Sequence, residues 1–207
     1  MTSNQSTFEV LQPLEREIWI GEDGSGRLRE TRHEPEFFGE ADRAEWRDVD
    51  YSTGTTDEVF PPGTLRYIAL PPPTHRGEDL VTFIDALLPA DDRGSTPARF
   101  EVVRALLAET AAPLTTQEAL VDVLVTLPGV TRESAVDPAG RPCTSVSVTT
   151  SDGALRRALY FDEDGQLLGF TETLLARIPS VDAEPPVLIS RVAYVQAGIV
   201  AGYDDST

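Results

Sequence analysis

The sequence contains no lysine at all, and its 17 basic residues are all arginine. Cysteine, methionine and asparagine occur once each, as Cys143, Met1 and Asn4. A single cysteine excludes an intramolecular disulfide, so the redox compartment is not encoded in it. No apolar run reaches the ~18 residues that a membrane-spanning helix needs. Met1 to Ser6 is polar and uncharged, which does not read as a secretory leader. Positive charge is scarce overall: 35 acidic residues against 17 arginines leave a net charge of −18. A nucleic-acid backbone or an anionic lipid surface requires clustered positive charge, so neither is an expected partner.

The chain is 207 residues long and 40% hydrophobic, enough for a true core. No linker composition divides it, and one domain over residues 1–207 is expected. Residues 1–14 read as an extended or partly ordered N-terminal segment. Leu127-Pro128-Gly129 marks a helix stop, because proline cannot continue a helix and glycine can take the left-handed cap. The Asp-Pro-Ala-Gly turn at 137–140 and the Asp-Glu-Asp-Gly turn at 162–165 separate extended segments that follow it.

Three amphipathic helices are expected before that stop. Residues 78–88 place Leu80, Phe83, Ile84 and Leu87 on one face. Residues 97–110 place Phe100, Val103, Leu106 and Leu107 together, with Thr96 as cap and Pro97 in the first turn. Residues 116–127 align Leu120, Val123, Leu124 and Leu127 behind a capping box of Thr115 and Glu118. After the stop come strands at 130–136, 144–150, 155–161 and 166–176. A long apolar segment at 187–199 reads as a central strand. Near the N-terminus, Glu17-Ile18-Trp19-Ile20 and Arg27 to Arg32 form a hairpin around Asp23-Gly24-Ser25-Gly26, the second strand lying at an edge. The fold class is therefore α+β. An antiparallel, curved meander carries about three short helices packed on one face, like a half-barrel, with strands from both termini closing over the helices.

Chemistry is harder to find. His33 and His75 stand far apart with no carboxylate at zinc-ligand spacing. Ser25 sits in a hairpin turn rather than on a nucleophile elbow. Cys143 follows a proline and has no histidine nearby in sequence, which reads as a partly buried, inert thiol. Asp162-Glu163-Asp164-Gly165 begins like a calcium loop, but the twelfth position is Thr173 rather than glutamate, so a hairpin turn explains it better. No catalytic residue, metal ligand or cofactor is assigned.

Residues 33–63 have no clean period and hold Phe37, Phe38, Trp46, Tyr51 and Phe60 among acidic neighbours. An apolar patch rimmed by charge suits a partner surface. Phe37, Phe38 and Trp46 are the candidate binding residues, at least one of them accessible, while Phe60 is expected to tuck beneath the loop.

Leu106-Leu107, Pro113-Leu114, Ala119-Leu120 and Leu127-Pro128-Gly129-Val130 resemble an uncharacterised family of actinobacterial membrane-anchored proteins. So do Asp137-Pro138-Ala139-Gly140-Arg141-Pro142, Phe161 to Gly169, and the first hairpin with Glu17-Ile18-Trp19-Ile20. The resemblance covers most of the chain and is weakest over residues 33–60. Members of that family carry a short cytoplasmic N-terminus, one transmembrane helix and a domain like this one. They are often encoded beside extracytoplasmic-function sigma factors. The resemblance implies a non-catalytic extracytoplasmic sensor or binding domain, tethered through an N-terminal helix that this chain lacks, with no catalytic residue to carry over. Two other readings stay open. One is a carrier or sensor of a lipid-like apolar ligand held in a half-barrel cavity. The other is a hydrolase whose site is assembled only in space.

Overall fold

The computed structural model describes residues 10–21, 23–37, 39–46, 51–64, 70–72, 74–110, 112–177 and 184–195. It has both helices and strands, as an α+β fold requires. Where the sequence reads as one domain, the contacts group the chain into two compact units. One is built mainly from residues 1–67 and the other from residues 68–178 and 184–199.

The second unit holds the helices and the meander. Helices α2 (Gly77–Leu87), α3 (Thr96–Glu109) and α4 (Leu114–Thr126) precede strands β6 (Thr131–Val136), β7 (Pro142–Thr149), β8 (Leu155–Phe161), β9 (Leu167–Leu174) and β10 (Val187–Ala193). The strands form one open antiparallel sheet in the order β10-β9-β8-β7-β6. Each expected turn is present. Asp162 Oδ1 accepts the amides of Asp164 (3.0 Å) and Gln166 (2.8 Å) in the β8–β9 turn, where Gly165 has φ +81°. That is the Asp-Gly hairpin turn expected between these strands.

The helical stripes become a core. Leu80, Ile84, Phe100, Val103, Leu106, Leu120 and Leu124 are fully buried and pack in one cluster with Val146, Val148, Leu159, Phe161 and Leu167 of the sheet. Phe83 packs against that cluster, whereas Leu87, expected on the same face, is exposed at the end of α2. The helix starts also differ in detail. Ser95, not Thr96, caps α3 and accepts the Ala98 amide at 3.4 Å. The Thr115–Glu118 capping box does not form, because Pro113 caps α4 two residues earlier without any side-chain hydrogen bond. Gln117 Nε2 instead donates to the Ala112 carbonyl at 2.8 Å, tying the first turn to the chain before it.

Two strand placements are corrected. β10 is an edge strand rather than a central one. Leu188 and Ile189 are half exposed there, and the pairing with β9 is broken by a bulge between Leu188 and Ser190. Its apolar composition reflects an open edge and not burial on both sides. The N-terminal strands, expected to share a sheet with those from the other terminus, pair among themselves and do not join this sheet.

The first unit has its own three-stranded sheet in the order β2-β3-β5, from β2 (Leu14–Ile20), β3 (Gly26–Arg32) and β5 (Gly54–Phe60). β3, read as an edge, is the middle strand, because β5 emerges from the stretch without a clean period and pairs along its whole length. The same stretch holds helix α1 (Glu40–Trp46) and strand β4 (Glu36–Phe37), which pairs with β1 (Val10–Leu11). The expected N-terminal segment thus contributes a short strand from residue 10 onward.

Candidate functional site

In the first unit the candidate aromatics assemble where α1 meets β4. Phe37 and Trp46 rings pack edge-on at 6.1 Å, and Trp46 and Tyr51 at 5.4 Å. Arg43 lies 5.1 Å from the Phe37 ring centre, and Tyr51 donates its hydroxyl to the His33 carbonyl at 3.1 Å. Phe37 and Trp46 are both half-buried, neither sealed nor open. Phe38 lies outside the described residues. Phe60 ends β5 and is half-buried opposite Gly26.

The adjoining sheet is unusual in how little it buries. Alternation puts Leu14, Ile18 and Ile20 of β2, Leu28 of β3 and Phe60 of β5 on one face. Leu14 and Ile18 remain 51% and 48% exposed, and Ile18 is the cross-strand partner of Leu28. Arg16, Glu30, Arg32 and Glu58 share that face, and Arg16 pairs with Glu30 at 3.3 Å. The other face is also held by charge. Arg27 donates to Asp57 through Nε (2.8 Å) and Nη2 (2.6 Å), Arg29 reaches Glu17 at 3.1 Å, and both guanidiniums stand over the Trp19 ring. The two bonds from Arg27 lower the Asp57 carboxyl pKa to about 2.

The histidines fall in separate units. His33 Nε2 is 3.7 Å from Glu15 Oε2, with both side chains open to solvent. His75 is half-buried against Phe83, its Nδ1 sealed without a hydrogen-bond partner. Among the described residues, no group of three or more His, Cys, Asp or Glu stands close enough to hold a metal ion. Cys143 is a half-buried free thiol. Burial, then the nearby Asp137 carboxylate, raises its pKa against the opposing pull of Arg141.

In the second unit the sheet face toward the helices is filled. Leu80, Phe100, Val103 and Leu124 occupy it with no exposed surface. An apolar-ligand cavity of the half-barrel kind has no room on that face. Sequence reading gave no sign of what lies on the opposite face. There, the turn between β6 and β7 folds back over the sheet. Asp137, its side chain fully buried, accepts the Ala139 amide (2.9 Å), the Arg141 amide (2.8 Å) and Arg141 Nε (2.7 Å). Burial alone would raise the Asp137 pKa, but the Arg141 guanidinium and these amides outweigh it and hold the carboxyl below its ordinary value. Arg141 Nη2 then reaches across to the carbonyls of Leu168 and Tyr194, each at 3.0 Å. The turn roofs one side of an open groove of about 590 Å³ whose floor includes Tyr160 and Thr171.

No protein-family model matches the chain, and neither a curated protein nor a solved structure matches it. Among the described residues, no helix is long and apolar enough to cross a membrane.

Proposed function

We propose that this chain is a non-catalytic binding domain that works outside the cytoplasm as part of a membrane-anchored regulatory protein. The binding role rests on one observation: the β2-β3-β5 sheet leaves large apolar side chains open to solvent among charged ones. Leu14 and Ile18 stand out of one face on either side of Arg16, with Leu28 opposite Ile18, and Val59 on the other face is 64% exposed. Exposed large apolar side chains interspersed with charge suit a protein partner. The partner is a protein rather than nucleic acid, given the net charge of −18. The neighbouring Phe37–Trp46–Tyr51 cluster extends the same reading, since half-buried aromatics are typical interface anchors. The extracytoplasmic, anchored setting is supported by the turn and helix-stop resemblance alone.

The test separates the two parts. Fractionation of cells with intact-cell protease treatment should find the native full-length protein in the membrane fraction, with this domain accessible from outside. Recovery in the cytosolic fraction, protected from protease, would reject the anchored setting. A photo-crosslinking residue at Ile18 should give one discrete protein adduct in those cells, lost when Leu28→Glu is added. Adducts that appear equally from a probe at exposed Glu163 would reject the sheet face as the binding surface.

A further inference from the structure

The groove behind the five-stranded sheet lies in the other unit and does not depend on the proposal above. Its construction follows from register. Leu159, Phe161 and Phe170 turn toward the helices, so Tyr160 and Thr171 lie on the reverse face. Pairing puts Ser147, Ala158, Thr171 and Arg191 in one row across four strands. The next row is Ser145, Tyr160, Gly169 and Ala193. These rows are mostly small residues, which leaves space for the β6–β7 turn to fold over them. Arg191 fastens that turn by donating Nη2 to the Pro138 carbonyl.

Among the described residues, the charges on this face balance except at one place. Asp137 is closed off by Arg141 and two backbone amides. Arg156 pairs with Glu133 at 2.7 Å. Arg191 lines the groove, is exposed, and makes no ion pair among the described residues. A chain of net charge −18 therefore presents an unneutralised guanidinium inside a concavity. Beside it, the Tyr160 and Thr171 hydroxyls are 3.0 Å apart. Only one of their two hydrogens can lie between them, so the other is left to donate outward. Ser145, in register with Tyr160, is 2% exposed and its Oγ has no hydrogen-bond partner. Val136 and Leu188 complete the lining with aliphatic surface that is 62% and 50% exposed.

We propose that this groove binds a monoanionic carboxylate carrying an aliphatic chain, with Arg191 on the carboxylate, the Tyr160–Thr171 hydroxyl pair donating to it, and Val136 and Leu188 against the chain. One guanidinium neutralises one charge, and its paired N–H groups match the two oxygens of a carboxylate. A phosphate dianion would leave one charge uncompensated in a strongly acidic protein. The groove volume of about 590 Å³ lies within the range typical of small-molecule sites.

The test uses the full chain and octanoate, with octanol, acetate and octyl phosphate as comparisons, followed by calorimetry and by amide chemical shifts. Octanoate should bind saturably, shifting the amides of Gly140, Tyr160, Thr171 and Arg191. Octanol and acetate should each bind about tenfold more weakly, since each lacks one half of the recognised group. Arg191→Gln should weaken octanoate about tenfold and leave octanol unchanged, while Arg191→Lys keeps most of the affinity. Because Arg191 also holds the turn, Thr171→Val serves as a second variant that leaves the Pro138 bond in place. It should weaken octanoate by about threefold. Absence of saturable octanoate binding, equal affinity for octanol and octanoate, tighter binding of octyl phosphate, or shifts confined to other amides would each overturn the proposal.

Discussion

The two sheets of this protein are held together by different forces. In the helix-backed sheet, strands β7, β8 and β9 and three helices share a core of buried leucine, valine, isoleucine and phenylalanine. In the β2-β3-β5 sheet, the only buried residue of the three strands is Gly26. Its cross-strand contacts are ion pairs, a Thr31–Thr55 hydroxyl contact at 2.9 Å and arginines over Trp19. Apolar burial contributes about 25 cal/mol per Å², and a full core multiplies that over many side chains. Exposed ion pairs contribute little each and weaken in salt. The contrast is one of construction: one sheet is closed around a core, and the other leaves most of its strand residues exposed.

The largest test of that contrast is a matched pair of truncations. Leu120→Ala, at a site with no exposed surface, should lower unfolding free energy by about 2–5 kcal/mol. Ile18→Ala, half exposed on β2, should change it by less than about 0.5 kcal/mol. Urea unfolding of both variants measures the difference, and comparable losses would erase the contrast. Next in size is Asp137→Asn. It leaves the same shape but weakens three hydrogen bonds to a fully buried group, at a cost of about 2 kcal/mol. Because the folded carboxyl pKa lies below 3.8, the charged form's contribution is complete above that value. It is lost as pH falls through the lower folded pKa. The variant's deficit should therefore be full at neutral pH and shrink only in strong acid, and a deficit that vanishes already at pH 5 would contradict the clamp. Gly169→Ala follows. An added Cβ would sit 2.3 Å from the Val192 carbonyl oxygen, which is backbone and cannot rotate away. A loss of about 1–3 kcal/mol is expected in thermal unfolding, with the β9–β10 amides losing exchange protection first.

What could be read from sequence follows the same division. The stripes Leu80–Ile84, Phe100–Leu107 and Leu120–Leu127 were legible because burial imposes a 3.6-residue period. The meander was legible because its turns need Asp and Gly, and Gly140, Gly153 and Gly165 all take positive φ. β5 was not, since Gly-Thr-Thr-Asp-Glu-Val-Phe belongs to an exposed sheet and has no face to mark by hydrophobicity. β10 misled for the converse reason, as apolar residues on an open edge look like a central strand. The groove was invisible because Tyr160, Thr171 and Arg191 meet only through register across three strands. The one sequence trace of it is the run of small residues at alternate positions, Ser145, Ser147, Ala158 and Gly169. Of the candidate residues, Phe37 and Trp46 come together through α1, a helix too short to announce itself by period.

The smallest effect probes the charged sheet directly. Asp57 is held at a pKa of about 2, first by the Arg27 hydrogen bonds, against opposing desolvation. Its ordinary value is 3.8, so the pair stabilises the folded form above that pH. That contribution is lost as pH falls from 3.8 toward about 2. Arg27→Gln removes both bonds and should return the Asp57 carboxyl most of the way to its ordinary value, read from its side-chain carbon shift during acid titration. At neutral pH the same variant should speed amide exchange along β3 and β5 and leave β7 and β8 untouched. High salt should reproduce part of that change in the wild-type chain, since screening weakens solvent-exposed pairs. If instead β3 and β5 amides prove as protected as those of β7 and β8, with or without Arg27, the small sheet is held by something other than its charges. The division between a sheet held by its core and a sheet held by its charges would then have to be redrawn.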